Sequence, residues 1–209
     1  MLRVSFRAGV SLLLLIGLSA FLADALRAAG EEPKNPVELE QEIREKLKQA
    51  PSDPELHYQL GNALYDQGRR EEAAASYQKA IEGKPDYVKA LVNLGVVLNE
   101  SSKSEEAIPY FDRAEALAPQ DVTVLCNKGL ALYALQHYPE AIALYQKSMK
   151  LEPRNQLPYY LLGVAFADAG IYREAIREWE KVVAIDPKSE SGETAAESIK
   201  VLRELLPKK

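Results

Sequence analysis

The sequence predicts an all-α solenoid of antiparallel helix pairs, and three regularities in its 209 residues carry that prediction. Glycine recurs every 34 residues, at Gly61, Gly95, Gly129 and Gly163, each time inside an apolar run that otherwise reads as a helix. Alanine follows each glycine by 12 residues (Ala73, Ala107, Ala141, Ala175) and an aromatic by 16 (Tyr77, Phe111, Tyr145, Trp179). Proline closes each period, at Pro51, Pro85, Pro119, Pro153 and Pro187. A glycine inside a helix costs roughly 1 kcal/mol relative to alanine, so its recurrence in register requires a compensating gain. Close approach supplies one: where two helices cannot bury an apolar face alone, the missing side chain lets them nestle and the aromatic fills the remaining space.

The elements follow in order. Residues 1–25 read as a signal peptide or N-terminal membrane anchor: Arg3 and Arg7 precede an uncharged run from Ala8 to Ala23, and Ala23-Asp24-Ala25 is a small-x-small site. As a helix that run would span about 24 Å, short of the roughly 30 Å hydrocarbon core, which favours cleavage over anchoring. Residues 26–36, ending in "EEPKNP", read as a linker. Residues 37–51 have a helical period and the terminal proline, so they read as the second helix of a repeat whose first helix is missing or replaced by the leader. Four full units occupy 54–87, 88–121, 122–155 and 156–189, each with two helical patterns of the kind seen in Pro54–Gln67 and Arg70–Gly83. The position before each first helix is Asp53, Tyr87, Asp121, Asn155 and Ser189; all but Tyr87 can cap, and there Asp86 stands beside it. Pro109 should delay or kink its helix. Residues 190–206 are amphipathic and suit a capping helix, which a solenoid needs to cover its last apolar face.

Composition excludes several functions. A net charge of −5 with interspersed signs offers no basic stripe for nucleic acid. One cysteine, Cys126, makes no internal disulfide and has no neighbouring cation to activate it, so it reads as a small apolar filler. The two histidines, His57 and His137, lack metal-ligand spacing. No nucleophile motif or phosphate loop is present, the glycines being explained by the period. An enzyme is not expected, nor a cofactor or metal. Asn99-Glu100-Ser101 is a glycosylation triplet.

Taken jointly, His57, Leu60, Gly61, Leu64, Ala73, Tyr77, Ala80 and Pro85 resemble the tetratricopeptide repeat, and Tyr159, Leu162, Gly163, Phe166, Ala175, Trp179 and Pro187 resemble it more closely still. Lys128, where the motif has leucine, departs from it. The resemblance implies a right-handed solenoid whose first helices line a concave groove for a partner protein, either an extended peptide or an amphipathic helix. The residues facing that groove would be Tyr58, Asn62 and Tyr65, then Val92, Asn93, Val96 and Asn99, then Asn127, Leu130 and Tyr133, then Tyr160 and Val164. The amides of Asn93 and Asn127 would hold a partner's backbone. Members that grip the C-terminal carboxylate of heat-shock chaperones use a cationic clamp; Tyr58, Thr123 and Asn127 stand where its cations would be, which argues against that ligand. The implied function is a non-enzymatic scaffold or adaptor, exported or membrane-tethered, with assembly of an envelope complex as one role. The alternative is a structural protein that self-associates into homo-oligomers, the half-repeat of one molecule completing the array of the next.

Overall fold

A computed structural model describes residues 35–206, and every regular element among them is a helix. The helices are α1 (Pro36–Gln49), α2 (Pro54–Asp66), α3 (Arg70–Gly83), α4 (Val88–Glu100), α5 (Ser104–Leu117), α6 (Val122–Ala134), α7 (Tyr138–Leu151), α8 (Gln156–Asp168), α9 (Tyr172–Ile185) and α10 (Glu190–Leu205). The all-α solenoid class of paired helices is as expected, and the period is kept to the residue: first helices start at 54, 88, 122, 156 and 190, second helices at 36, 70, 104, 138 and 172. The C-terminal helix α10 is thus in the register of a fifth first helix. The expected leader at 1–25 lies outside the described residues. Among the described residues, no helix is long and apolar enough to cross a membrane.

The chain divides into two compact units, one ending at Ala118 and the other beginning at Pro119. In the N-terminal unit α1 packs on α2, α2 pairs with α3, α3 packs on α4, and α4 pairs with α5. In the C-terminal unit the same order runs from α6 to α10. The recurrent small residues do what the period requires. Ala73, Ala107, Ala141 and Ala175 have no exposed surface, and each glycine faces the aromatic 16 residues on: Gly95 against Phe111, Gly129 against Tyr145, Gly163 against the Trp179 indole. Buried Trp179 also donates from Nε1 to the Tyr160 carbonyl at 3.2 Å.

Local chemistry sets the boundaries. Asp53 accepts from the Glu55 and Leu56 N–H groups at 2.8 and 3.3 Å, Asp121 from Thr123 and Val124 at 2.8 and 3.2 Å, Asn155 from Leu157 at 3.0 Å, and Ser189 from Gly192 at 3.0 Å. α4 has no side-chain cap, so Asp86 does not substitute; Tyr87 instead donates its hydroxyl to Glu55 and packs its ring against Tyr58, with centroids 5.0 Å apart and planes inclined by 43°. Each second helix stops two residues before its proline, because the ring excludes helical geometry from the residue preceding it. Pro109 does not delay α5, which starts at Ser104 in register with the others. Pro109 and Glu105 are both exposed, so the Glu105 carbonyl that loses its helical donor faces water.

The turn inside each pair reuses one device that the sequence reading did not single out. Gly68, Ser102, Gln136 and Gly170 all have left-handed backbone, with φ of 75°, 60°, 65° and 75°. In each, that residue's N–H returns to the carbonyl three back and the next N–H to the carbonyl five back, as in Gly68 to Tyr65 and Arg69 to Leu64. This Schellman closure satisfies the last carbonyls of the first helix and reverses the chain.

The half-repeat helix α1 is held by a polar anchor. Buried Glu40 accepts from Arg44 Nε at 2.8 Å, Gln67 Nε2 at 2.9 Å and Arg69 Nη1 at 2.6 Å. Burial by itself would raise the Glu40 pKa; the hydrogen bonds from Gln67 and Arg44 and the charge of Arg69 outweigh it and hold the carboxyl below its ordinary value.

Candidate protein-interaction surface

The expected partner-facing residues lie on the first helices, spaced by the repeat, but they do not all reach solvent. In the N-terminal unit, Tyr58, Asn62 and Tyr65 on α2 and Asn93, Val96 and Asn99 on α4 are half-buried, while Val92 is buried. In the C-terminal unit, Asn127, Leu130 and Tyr133 on α6 are half-buried. Tyr160 and Val164 on α8 are buried, with Leu161 and Ala167 beside them. The expectation that α8 offers Tyr160 and Val164 to a partner is therefore corrected, as it is for Val92. The physical reason in α8 is that α10, in first-helix register, packs on α9 and α8 and covers the apolar surface α8 would otherwise expose.

Several polar groups expected to await a ligand have internal work. Tyr77 donates its hydroxyl to Asn62 Oδ1 at 2.8 Å, and Asn93 Nδ2 donates to the same oxygen at 3.1 Å. The Asn62–Asn93 pair thus satisfies a buried phenol at the seam of α2, α3 and α4, and Asn93 is not a free backbone clamp. Asn127 donates Nδ2 to the Thr123 carbonyl of its own helix at 2.9 Å. Asn99 accepts at Oδ1 from Ser104 Oγ at 2.7 Å, and the glycosylation triplet sits at the end of a helix with that side chain held by the following turn.

Two tyrosines make contacts that sequence reasoning missed. Tyr65 donates to Glu100 Oε1 at 2.8 Å, and Arg70 Nε sits 3.3 Å from the other oxygen of that carboxylate. Tyr133 donates to Asp168. Both pairs join the end of one first helix to the end of the next, and a tyrosine followed 35 residues later by an acid was the signal available. Burial and the Glu100 carboxylate push the Tyr65 phenol up, so it stays a neutral donor.

Nothing in this surface resembles reactive chemistry. Cys126 is buried, packed with Val122, Ala141, Tyr145, Leu161 and Leu162, and burial pushes its thiol up to about 11, consistent with a filler. His57 is 8% exposed and donates Nε2 to the Pro51 carbonyl at 2.8 Å; Tyr159 donates its hydroxyl to the Pro153 carbonyl from the matching position of the fourth unit. His137 is exposed at the turn before α7. Lys128 is half-buried on α6. Among the described residues, no cluster of three or more His, Cys, Asp or Glu could hold a metal ion.

Comparison with known proteins agrees with the architecture. A family model described as "Tetratricopeptide repeat" matches residues 58–122, and one described as "TPR repeat" matches 129–170. Among solved structures, TTC0263, described as a thermophilic TPR protein in Thermus thermophilus, is similar with TM-score 0.69 and 20% identity over 86% of this chain and 96% of that one. MamA from Desulfovibrio magneticus RS-1 (residues 41 to the end) gives TM-score 0.66 and 23% identity, covering 84% and 97%. YrrB, described as a TPR protein with an unusual peptide-binding site, gives TM-score 0.62 and 19% identity, covering 92% and 98%. At these identities the likeness is one of fold alone. No curated protein matches the sequence.

Proposed function

This chain belongs to the tetratricopeptide-repeat family, a fold that serves as a non-catalytic protein–protein interaction scaffold, and on that premise we propose that it works by self-association into homo-oligomers. The observation that carries this reading is at the first and last of the described helices. Val37 on α1 is 47% exposed, and Val201 and Leu205 on α10 are 49% and 59% exposed. Apolar side chains left in water on α1 and on α10 are surfaces for another molecule. The burial of Tyr160 and Val164 and the internal bonding of Asn93 support the same reading, because they shrink the surface open to a groove ligand. Light scattering of the purified protein across a concentration series tests it: the mean mass should rise with concentration, and a constant monomer mass would refute it.

A second reading is capture of a segment of another protein on the first-helix faces, supported by half-exposed Tyr58, Tyr65, Leu130 and Tyr133. Aromatic and aliphatic side chains beside amides suit an extended peptide or amphipathic helix. Photo-crosslinking from position 133 in the native host tests it by what is trapped. Export or tethering outside the cytoplasm, with a part in an envelope complex, is proposed from the order of basic, uncharged and small residues in 1–25; fractionation of the host and the mature N-terminal sequence test that placement.

A further inference from the structure

Between α1 and α3, across α2, runs a groove of about 380 Å³. Its floor is apolar, from Leu47, Leu60 and Leu64, and its rim carries Arg44, Lys79 and Glu72. The rim is cationic in effect. Arg69 holds Glu72 through both carboxylate oxygens, at 2.7 and 2.6 Å. Arg44 bonds Glu40 through Nε alone, leaving its terminal amino groups for another acceptor, and Lys79 makes no ion pair within the described residues. A groove with an aliphatic floor and two available cations fits a helix that presents apolar residues flanked by carboxylates.

The same chain carries such a helix. On α10, Glu197, Val201, Glu204 and Leu205 fall within about 100° of one another at 3.6 residues per turn. All four are exposed, and neither Glu197 nor Glu204 has an ion-pair partner among the described residues. Arg203, on the neighbouring face, is instead tied to Glu180 at 2.7 Å. Glu197 stands 34 residues after Gly163, where the repeat otherwise places the glycine that receives a second helix. A carboxylate stands there instead, exposed and with its charge unmatched among the described residues.

We infer that α10 of one molecule seats in the α1–α2–α3 groove of a second copy, with Val201 and Leu205 over the leucine floor and Glu197 and Glu204 meeting Arg44 and Lys79. This rests on the self-association reading above and names the surfaces that perform it. The contact is heterologous: the two faces differ, so each bound pair still presents one free groove on one molecule and one free α10 on the other, and assembly continues head to tail unless the rotation closes a ring. It is also ionic at its edges, so added salt weakens it.

Sedimentation velocity on the purified full-length chain, over a concentration series, tests the inference. Lys79→Glu reverses a charge on the groove and Glu197→Lys/Glu204→Lys reverses two on the helix; both change exposed residues, so melting temperatures should match wild type. Each variant alone is expected to associate about tenfold more weakly than wild type. An equimolar mixture of the two should recover association in large part, because the unaltered groove of the helix variant receives the unaltered α10 of the groove variant with both ion pairs intact, while the opposite interface regains an opposite-charge pair at position 79 and keeps one unfavourable contact at Arg44. Association that is unaltered in both variants, or not recovered in the mixture, overturns the docking while leaving self-association through some other face intact. A wild type that stays monomeric at every concentration removes the self-association reading and the docking together.

Discussion

Gly61 faces the ring of Tyr77 so closely that a Cβ placed on the glycine would lie 2.5 Å from Tyr77 Cε1 and 2.6 Å from Cδ1. Real Cβ atoms do not approach rings so nearly, so Gly61→Ala must push α2 and α3 apart or force Tyr77 off its rotamer. Tyr77 is 1% exposed and its hydroxyl is tied to Asn62, which leaves it little room to yield. Elsewhere in a helix the same change stabilises by about 1 kcal/mol; here it should destabilise by about 1–3 kcal/mol through overpacking. Urea denaturation followed by circular dichroism gives the sign, and a stabilised Gly61→Ala would contradict the packing.

At the turn after α6, Gln136 holds φ of 65° where the first and fourth units use glycine. A side chain in left-handed backbone is disfavoured by roughly 1–2 kcal/mol. Gln136→Gly is therefore expected to raise stability by about 0.5–1 kcal/mol once the extra freedom of glycine in the unfolded chain is subtracted. Ser102→Gly should behave alike, and the two together should add. Thermal melts of the single and double variants check this.

His57 donates Nε2 to Pro51, which leaves Nδ1 as a buried acceptor without a donor. An unsatisfied buried polar atom costs about 1–3 kcal/mol. Tyr159 shows the alternative at the matching position, reaching the Pro153 carbonyl at 3.3 Å with no second polar atom. His57→Tyr should keep the bond and remove the orphan, raising the melting temperature by about 2–4 °C. A drop would mean that the larger ring does not fit between α1 and α3.

Docking of α1 should depend on pH through Glu40. Its pKa is lowered in the folded chain, so its contribution is present above the ordinary carboxylate value of 4.5 and is lost as pH falls through the folded value. Glu40→Gln should cost about 1–2 kcal/mol near pH 7, since a charged acceptor for Arg69 and Arg44 becomes neutral. That cost should shrink as pH drops below 4.5. Denaturation midpoints of wild type and variant, measured in parallel from neutral to acid pH, isolate the Glu40 contribution from that of other carboxylates. A difference that stays constant with pH would show that Glu40 contributes through shape alone.

Much of this protein was legible before any coordinates. Gly61, Ala73 and Tyr77 recur with their counterparts at fixed spacing because every unit solves the same local problem, and a problem repeated four times is visible in one sequence. The caps at Asp53, Asp121, Asn155 and Ser189 were readable for a similar reason: an N-cap bond spans two or three residues, so its partners are neighbours in the chain. That Pro109 would not delay α5 was not legible, because the penalty of an internal proline depends on whether the carbonyl it strands can reach water, and exposure is a tertiary property.

Repetition and short range mark the limit of what the sequence determined by itself: the helix pairs, their boundaries, and the small-to-aromatic contact inside each pair. Only the tertiary structure decided which first-helix residues stay open. Whether Tyr160 is a ligand platform or a core residue depends on α10 lying over α8, and whether Asn93 clamps a peptide or a phenol depends on Asn62 arriving from 31 residues away. Burial and hydrogen-bond partnership are properties of neighbours in space, and between unlike elements no periodicity announces them.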